Sequence, residues 1–315
     1  MPFPTFLFKW EGAFSMQLNE LIQEFLFDCK VRELSDKTVN NYRKQLSLFE
    51  RFVGETMGVK TLEELKPQHV KEYIRSLQER GCKPAYTNDL LKAVKVMCAY
   101  AHREEYTSTL ITKKIRNVKQ PKVLIHTFSD KEIKKMVKYY DGSSFMDIRN
   151  KLIIMVLFDT GIRISELTNM RPSQVQENFF VIYGKGRKER IVPKNPTVSK
   201  WLMKYMYARE KYFELRDCQD YLFLSKNGKM LTSNAVDTLL KRAAQDVGVN
   251  PVVRVSPHTL RHTFAHQQLK NGLDLYSLSR LLGHESVNIT QRYLESIRDT
   301  EILISAKKTG VLANL

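Results

Sequence analysis

The chain is short of the residues that staple small folds. Only four cysteines occur in 315 residues, Cys29, Cys82, Cys98 and Cys218, and no two stand at Cys-x-x-Cys spacing. That argues against a disulfide scaffold and the common zinc modules. Cys29 and Cys98 fall on apolar helical stripes and are expected to be buried free thiols, which suits a reducing cytoplasm. No apolar run has the length of a membrane span. Residues 1–10 are aromatic-rich but lack a basic start and a long apolar stretch, so they do not read as a signal peptide. Acidic residues are also scarce. Lys and Arg number 51 against 34 Asp and Glu, a formal net charge of +17, and the excess is spread over both halves of the chain. A surface that meets a polyanion on two sides has this balance, though a merely basic soluble protein would have it too.

What is present is enough for two folded domains, with 43% hydrophobic residues and no repeat or low-complexity tract. Leu18, Leu21, Ile22, Phe25 and Leu26 recur at helical spacing. Ser35 is a good N-cap for a second helix carrying Val39, Tyr42, Leu46, Phe49 and Val53. Pro67 starts a third that stops at Gly81, and a fourth runs from about Ala85 towards Glu104. Residues 16–112 are therefore expected as a four-helix domain, after an arm at 1–15. Residues 113–128, basic and interrupted by Pro121, are expected as the linker.

A second domain, 129–315, opens on the capping box Ser129-Asp130-Lys131-Glu132. The apolar run at 152–158 must be buried, and Asp147 before it with Gly161 after it favours a helix. Residues 179–183 and 190–193 flank a Gly-rich basic loop and read as a β-hairpin. Residues 221–231, with Lys226-Asn227-Gly228 at the bend, read as another short turnaround. The expected class is mainly α with a small antiparallel sheet.

Six polar residues of this half sit in distinctive surroundings. Arg163 lies in Thr160-Gly161-Ile162-Arg163-Ile164-Ser165-Glu166-Leu167. Lys185 lies in Gly184-Lys185-Gly186-Arg187-Lys188-Glu189-Arg190. His258 and Arg261 lie in Pro257-His258-Thr259-Leu260-Arg261-His262. His284 closes Leu281-Leu282-Gly283-His284, and Tyr293 follows Gln291-Arg292. Three cations, two imidazoles and a phenol suit attack on a phosphodiester: cations meet phosphate charge, imidazoles hold or move protons, and a phenol is a nucleophile.

Each residue has a plainer reading. Arg163 and Glu166, three apart, could be an exposed helix pair of little energetic value. Lys185 could be a solvated turn lysine, with Lys188 a competitor for any role. His284 could simply end a helix, and Tyr293 is one of 14 tyrosines, so its residue type singles out nothing. His258, His262 and His266 are spaced i, i+4, i+8, which suggests metal. A straight helix seldom converges three such side chains on one ion, and no His-Glu-x-x-His is present. His262 is expected as a core or supporting imidazole and His266 as a surface one.

The six residues, in this order and in these contexts, resemble the Arg-Lys-His-Arg-His-Tyr active site of the tyrosine recombinases. That family includes phage integrases, Xer-type recombinases and integrases of mobile elements. The resemblance runs from Met16 to the C-terminus and is densest over 158–293. It implies a helical core-binding domain, SAM-like, before a mixed α/β catalytic domain. It assigns Arg163, Lys185, His258, Arg261, His284 and Tyr293 to catalysis and Glu166 to their support. It implies that Tyr293 forms a 3′-phosphotyrosyl link while Lys185 protonates the departing 5′ oxygen, with no cofactor and no metal.

The implied partners are a double-stranded DNA site and a homo-tetramer, or a hetero-tetramer with a related recombinase, acting through a Holliday junction. No membrane is involved, and the implied setting is the cytoplasm of a bacterium, nucleoid-associated, or of a phage or mobile element. Residues 302–315 could dock on a neighbouring protomer. The chain shows no clear extra arm-binding module, which brings it nearer the compact Xer-like members. A type IB topoisomerase, a telomere resolvase and a non-catalytic DNA-binding relative are the alternatives.

Overall fold

The computed structural model describes residues 15–121, 125–184, 189–291 and 293. The expected arm at 1–15, apart from Ser15, and the C-terminal tail lie outside them. So do Lys185, Lys188 and Arg292. The chain divides into two compact units, residues 1–122 and 123–315.

The first unit packs four helices, α1 (Leu18–Val31), α2 (Asp36–Met57), α3 (Pro67–Glu79) and α4 (Pro84–Arg103). The Ser35 hydroxyl accepts the Thr38 backbone N–H and caps α2, while Pro67 and Pro84 occupy first turns, where a missing N–H costs nothing. The apolar stripes meet in one core that includes Leu21, Phe25, Leu46, Phe49, Tyr73, Val94 and Met97. Cys29 and Cys98 are buried free thiols in it, and burial pushes the Cys98 thiol up to about 12. The start of the segment expected as linker is fixed to this unit. Ile115 is buried, and the Asn88 side chain exchanges two hydrogen bonds with the Val118 backbone at 2.8 and 2.9 Å.

The second unit is built around α6 (Phe145–Thr160), which is apolar on nearly every side. A helix with no polar face must be surrounded. It packs against α5 (Asp130–Tyr139), α8 (Pro196–Phe213), α9 (Ser233–Asp246) and α10 (Pro257–Lys270). Each fully buried aliphatic along it contributes about 1.5–3 kcal/mol. The Ser129 capping box opens α5. After α6 come the five-residue α7 (Ile164–Thr168) and a hairpin of β1 (Phe179–Tyr183) and β2 (Glu189–Pro193), antiparallel, with Phe179 opposite Pro193 and Ile182 opposite Arg190. The expected short turnaround at 221–231 is closed by one antiparallel bridge, Leu224 to Met230. The last elements among the described residues are α11 (Leu275–Leu282) and α12 (Val287–Gln291). Among the described residues no helix is long and apolar enough to cross a membrane.

Candidate active site

Five of the six candidate residues line one cleft of about 850 Å³, where Arg163, His258, Arg261, His284 and Tyr293 are joined by Arg190. Lys185 lies outside the described residues.

Arg163 is the N-cap of α7. The Glu166 carboxylate, one turn on, accepts the Arg163 backbone N–H at 2.7 Å and its Nη1 at 2.8 Å. This is not the exposed pair of the plainer reading, because the Glu166 side chain is only 6% exposed. Arg190 reaches the same carboxylate with Nη1 and Nη2, at 2.9 and 2.7 Å. Burial alone would raise the Glu166 carboxyl. The hydrogen bonds and charge of Arg190, with the hydrogen bonds of Arg163, outweigh it and hold the group below its ordinary value.

Arg261 opens the second turn of α10, which Ser256 caps and Pro257 starts. It is buried. Nη1 donates to the Gly161 carbonyl at 2.9 Å and Nη2 to that of Leu282 at 2.6 Å. Gly161 ends α6 at φ +60, and a Cβ there would lie 2.3 Å from the Phe264 ring, so glycine is needed twice over. Burial pulls the Arg261 guanidinium down to about 10, helped by the Arg163 charge and opposed by Tyr293 and Glu166. It therefore remains cationic at neutral pH.

The C-terminus of α11 ties these groups together. A helix end leaves carbonyls without helical partners and carries partial negative charge. Here three successive carbonyls take three different arginines: Leu281 accepts from Arg190 Nε at 2.7 Å, Leu282 from Arg261, and Gly283 from Arg163 Nη2 at 3.1 Å. Gly283 adopts φ +64, and a Cβ there would come within 2.9 Å of Arg190 Nη1. The next residue is His284. Its Nε2 lies 3.0 Å from Arg261 Nη2 and its Nδ1 2.8 Å from the Thr290 hydroxyl.

Tyr293 is 4% exposed and sits among Phe264, Ala265, Leu278 and Leu282. Its ring lies 4.7 Å from that of His262, edge on, and 6.1 Å from that of His284, nearly parallel. His262 in turn meets His258, Nε2 to Nε2 at 3.0 Å. The two imidazoles share a hydrogen bond, and among the described residues no three His, Cys, Asp or Glu side chains gather to hold a metal. His262 is buried, in keeping with the expectation of a core or supporting imidazole.

Arg190, Thr290 and the α11 carbonyls were not singled out by sequence. Arg190 had a signal. Strand side chains alternate, and Val192, two residues on, is buried, so Arg190 shares its inward face. Thr290 had none, since its value comes from His284, which reaches it only in the fold.

The chain matches the phage integrase family over residues 126–299 and the phage integrase N-terminal SAM-like domain over 22–105. Among curated proteins it is 28% identical over 280 residues to the tyrosine recombinase XerD of Oceanobacillus iheyensis, covering 88% of this chain and 93% of that one. It is 28% identical over 293 residues to the tyrosine recombinase XerC of Natranaerobius thermophilus, covering 90% and 97%. Among solved structures it is similar to XerH recombinase bound to a palindromic difH substrate after cleavage, with a TM-score of 0.76 and 21% identity over 95% of this chain and 98% of that one. It is also similar to a lambda integrase tetramer on a Holliday junction, with a TM-score of 0.68 and 17% identity over 92% and 79%.

Proposed function

Because the chain belongs to the phage integrase family, we propose that it is a tyrosine-type site-specific DNA recombinase that breaks and rejoins strands without a cofactor. The observation that carries this is the cleft itself, in which a tyrosine, two imidazoles packed against its ring and two arginines of the same chain come together. The Tyr293 oxygen attacks the scissile phosphorus. The bond from phosphorus to the 5′ oxygen breaks, a 3′-phosphotyrosyl bond forms, and Lys185 protonates the departing oxygen. His258, paired with His262, takes up the phenol proton. Arg163 and Arg261 meet the charge on the non-bridging oxygens, where oriented donors contribute most. A 5′ hydroxyl of another strand then attacks the phosphotyrosine and returns the phenol. One phosphodiester is exchanged for another, so no nucleotide is consumed.

Tyr293 is packed against His262 and His284 of the same chain, which supports attack in cis. Basic residues of the helical unit at 16–112 and of the segment 113–128 would meet the DNA backbone. Four protomers would act in turn on two DNA sites, and their setting is the cytoplasm. A topoisomerase reading is not favoured, since the curated relatives that match over nine-tenths of their own length are named recombinases. The test is to trap DNA on the full-length protein and sequence it. A phosphotyrosyl adduct at Tyr293 on one recurring sequence is expected. Adducts scattered over unrelated sequences would favour relaxation of supercoils instead.

A further inference from the structure

We propose that Arg190 is a positioning residue of the phosphate clamp and sets Arg163 through both of that side chain's anchors. This rests on the reading that Arg163 binds the scissile phosphate. Arg163 is 40% exposed and would be free to wander without support. Two groups hold its guanidinium: the Glu166 carboxylate at 2.8 Å and the Gly283 carbonyl at 3.1 Å. Arg190 grips the first directly, with two parallel hydrogen bonds, and the second through the Leu281 carbonyl two residues earlier. The connections form a ring running Arg190, Glu166, Arg163, Gly283, Leu281 and back to Arg190.

The ring is built rather than incidental. The Arg190 side chain is 10% exposed, and Nε and both terminal nitrogens are engaged. Its strand faces it inward beside the buried Val192, while Ile191 between them is exposed. Gly283 leaves the space the guanidinium needs. Two parallel bonds to one carboxylate plus a third to a carbonyl require a planar fork, which a lysine ammonium cannot reproduce. Arg190 therefore links β2, α7 and the end of α11, the three elements whose mutual placement decides where Arg163 points.

The test uses the full chain and a suicide duplex carrying the site recovered from trapped DNA. One version has an ordinary scissile phosphodiester, and the other a methylphosphonate in which a methyl replaces one non-bridging oxygen and its charge. Arg190→Lys keeps the charge and loses the fork. It is expected to slow cleavage of the phosphodiester about tenfold or more, with DNA affinity little changed, since losing one oriented donor costs on this scale. On the methylphosphonate the deficit should shrink, because there is less charge for a misdirected Arg163 to meet.

Comparing two substrates on one preparation cancels any fraction of misfolded protein. Arg163→Ala is the reference and should show the same contraction more strongly. If its deficit does not shrink, Arg163 is not a phosphate clamp, and both that reading and this inference fall. If Arg163→Ala behaves as expected while Arg190→Lys is equally slow on both substrates, or as fast as the parent, the inference alone is overturned. A third duplex carries sulfur in the 5′ bridging position. Selective rescue of Arg190→Lys by that substrate would place its effect on the leaving group and overturn the inference too.

Discussion

The Nη2 of Arg261 points at the Nε2 of His284 across 3.0 Å. A guanidinium has donors and no acceptor, so His284 Nε2 offers its lone pair and the ring proton sits on Nδ1. From there it is donated to the Thr290 hydroxyl, 2.8 Å away. Arg261 thus fixes the tautomer of His284, and the Thr290 hydroxyl accepts the proton left on Nδ1.

Thr290→Val keeps the shape of this buried residue and removes its acceptor. Leaving a buried donor unmet costs about 1–3 kcal/mol, so cleavage should fall by about tenfold while DNA binding holds. Nitrogen-15 NMR of the imidazoles should show the Nδ1–H form of His284 in both proteins, because Arg261 still faces Nε2. A parent in the Nε2–H form would refute the assignment.

Tyr293→Phe is expected to abolish covalent attachment and to leave DNA binding in place, because affinity is spread over many basic contacts. A suicide duplex on a denaturing gel reads the first and a mobility shift the second. Any adduct surviving in the variant would exclude Tyr293 as the nucleophile.

Cleavage should proceed in EDTA and without nucleotide. On the proposed mechanism Arg163, Lys185 and Arg261 would supply the charge that a metal would otherwise bring to the phosphate. Activity lost completely in EDTA and restored by one divalent ion would return attention to the helix-borne histidines.

Glu166 should make the protein acid-sensitive. Its folded value lies below its unfolded one, chiefly because of Arg190 and despite burial. The stabilisation is therefore complete above the unfolded value, about pH 4.3, and is lost as pH falls from there through the folded value. Glu166→Gln leaves Arg190 buried without its counter-charge and should cost about 3–5 kcal/mol at neutral pH. Melting curves of the two proteins should converge as the pH is lowered past that window. A gap that stays constant down to pH 3 would contradict this origin.

Gly161→Ala combines an unfavourable positive φ with a methyl driven into Phe264. Strain and overpacking together suggest about 2–4 kcal/mol. Because the Gly161 carbonyl holds Arg261, cleavage should drop even where urea titration shows the protein still folded. Full activity in a folded variant would show that this carbonyl does not govern the arginine.

Much of this molecule was legible in the chain. The helices of both units follow from apolar spacing and from caps such as Ser35, Ser129 and Ser256, because those signals are local and a few neighbours suffice to express them. The hairpin was legible for the same reason. Arg163, His258, Arg261, His284 and Tyr293 were named from short motifs, and Glu166 from its distance along one helical turn.

Tertiary structure alone decided how these residues are held. The carbonyls of residues 281–283 have no side-chain chemistry to announce them, yet three arginines from three different elements converge there. Arg190 and Glu166 lie 24 residues apart and Arg163 and Gly283 120 apart, so nothing local links them. The short turnaround at 221–231 closes with a single bridge, because turn residues fix a bend and not the length of the pairing on either side. A sequence states which groups a site contains. The order in which they grip one another depends on chain closure over long separations, and only packing settles that.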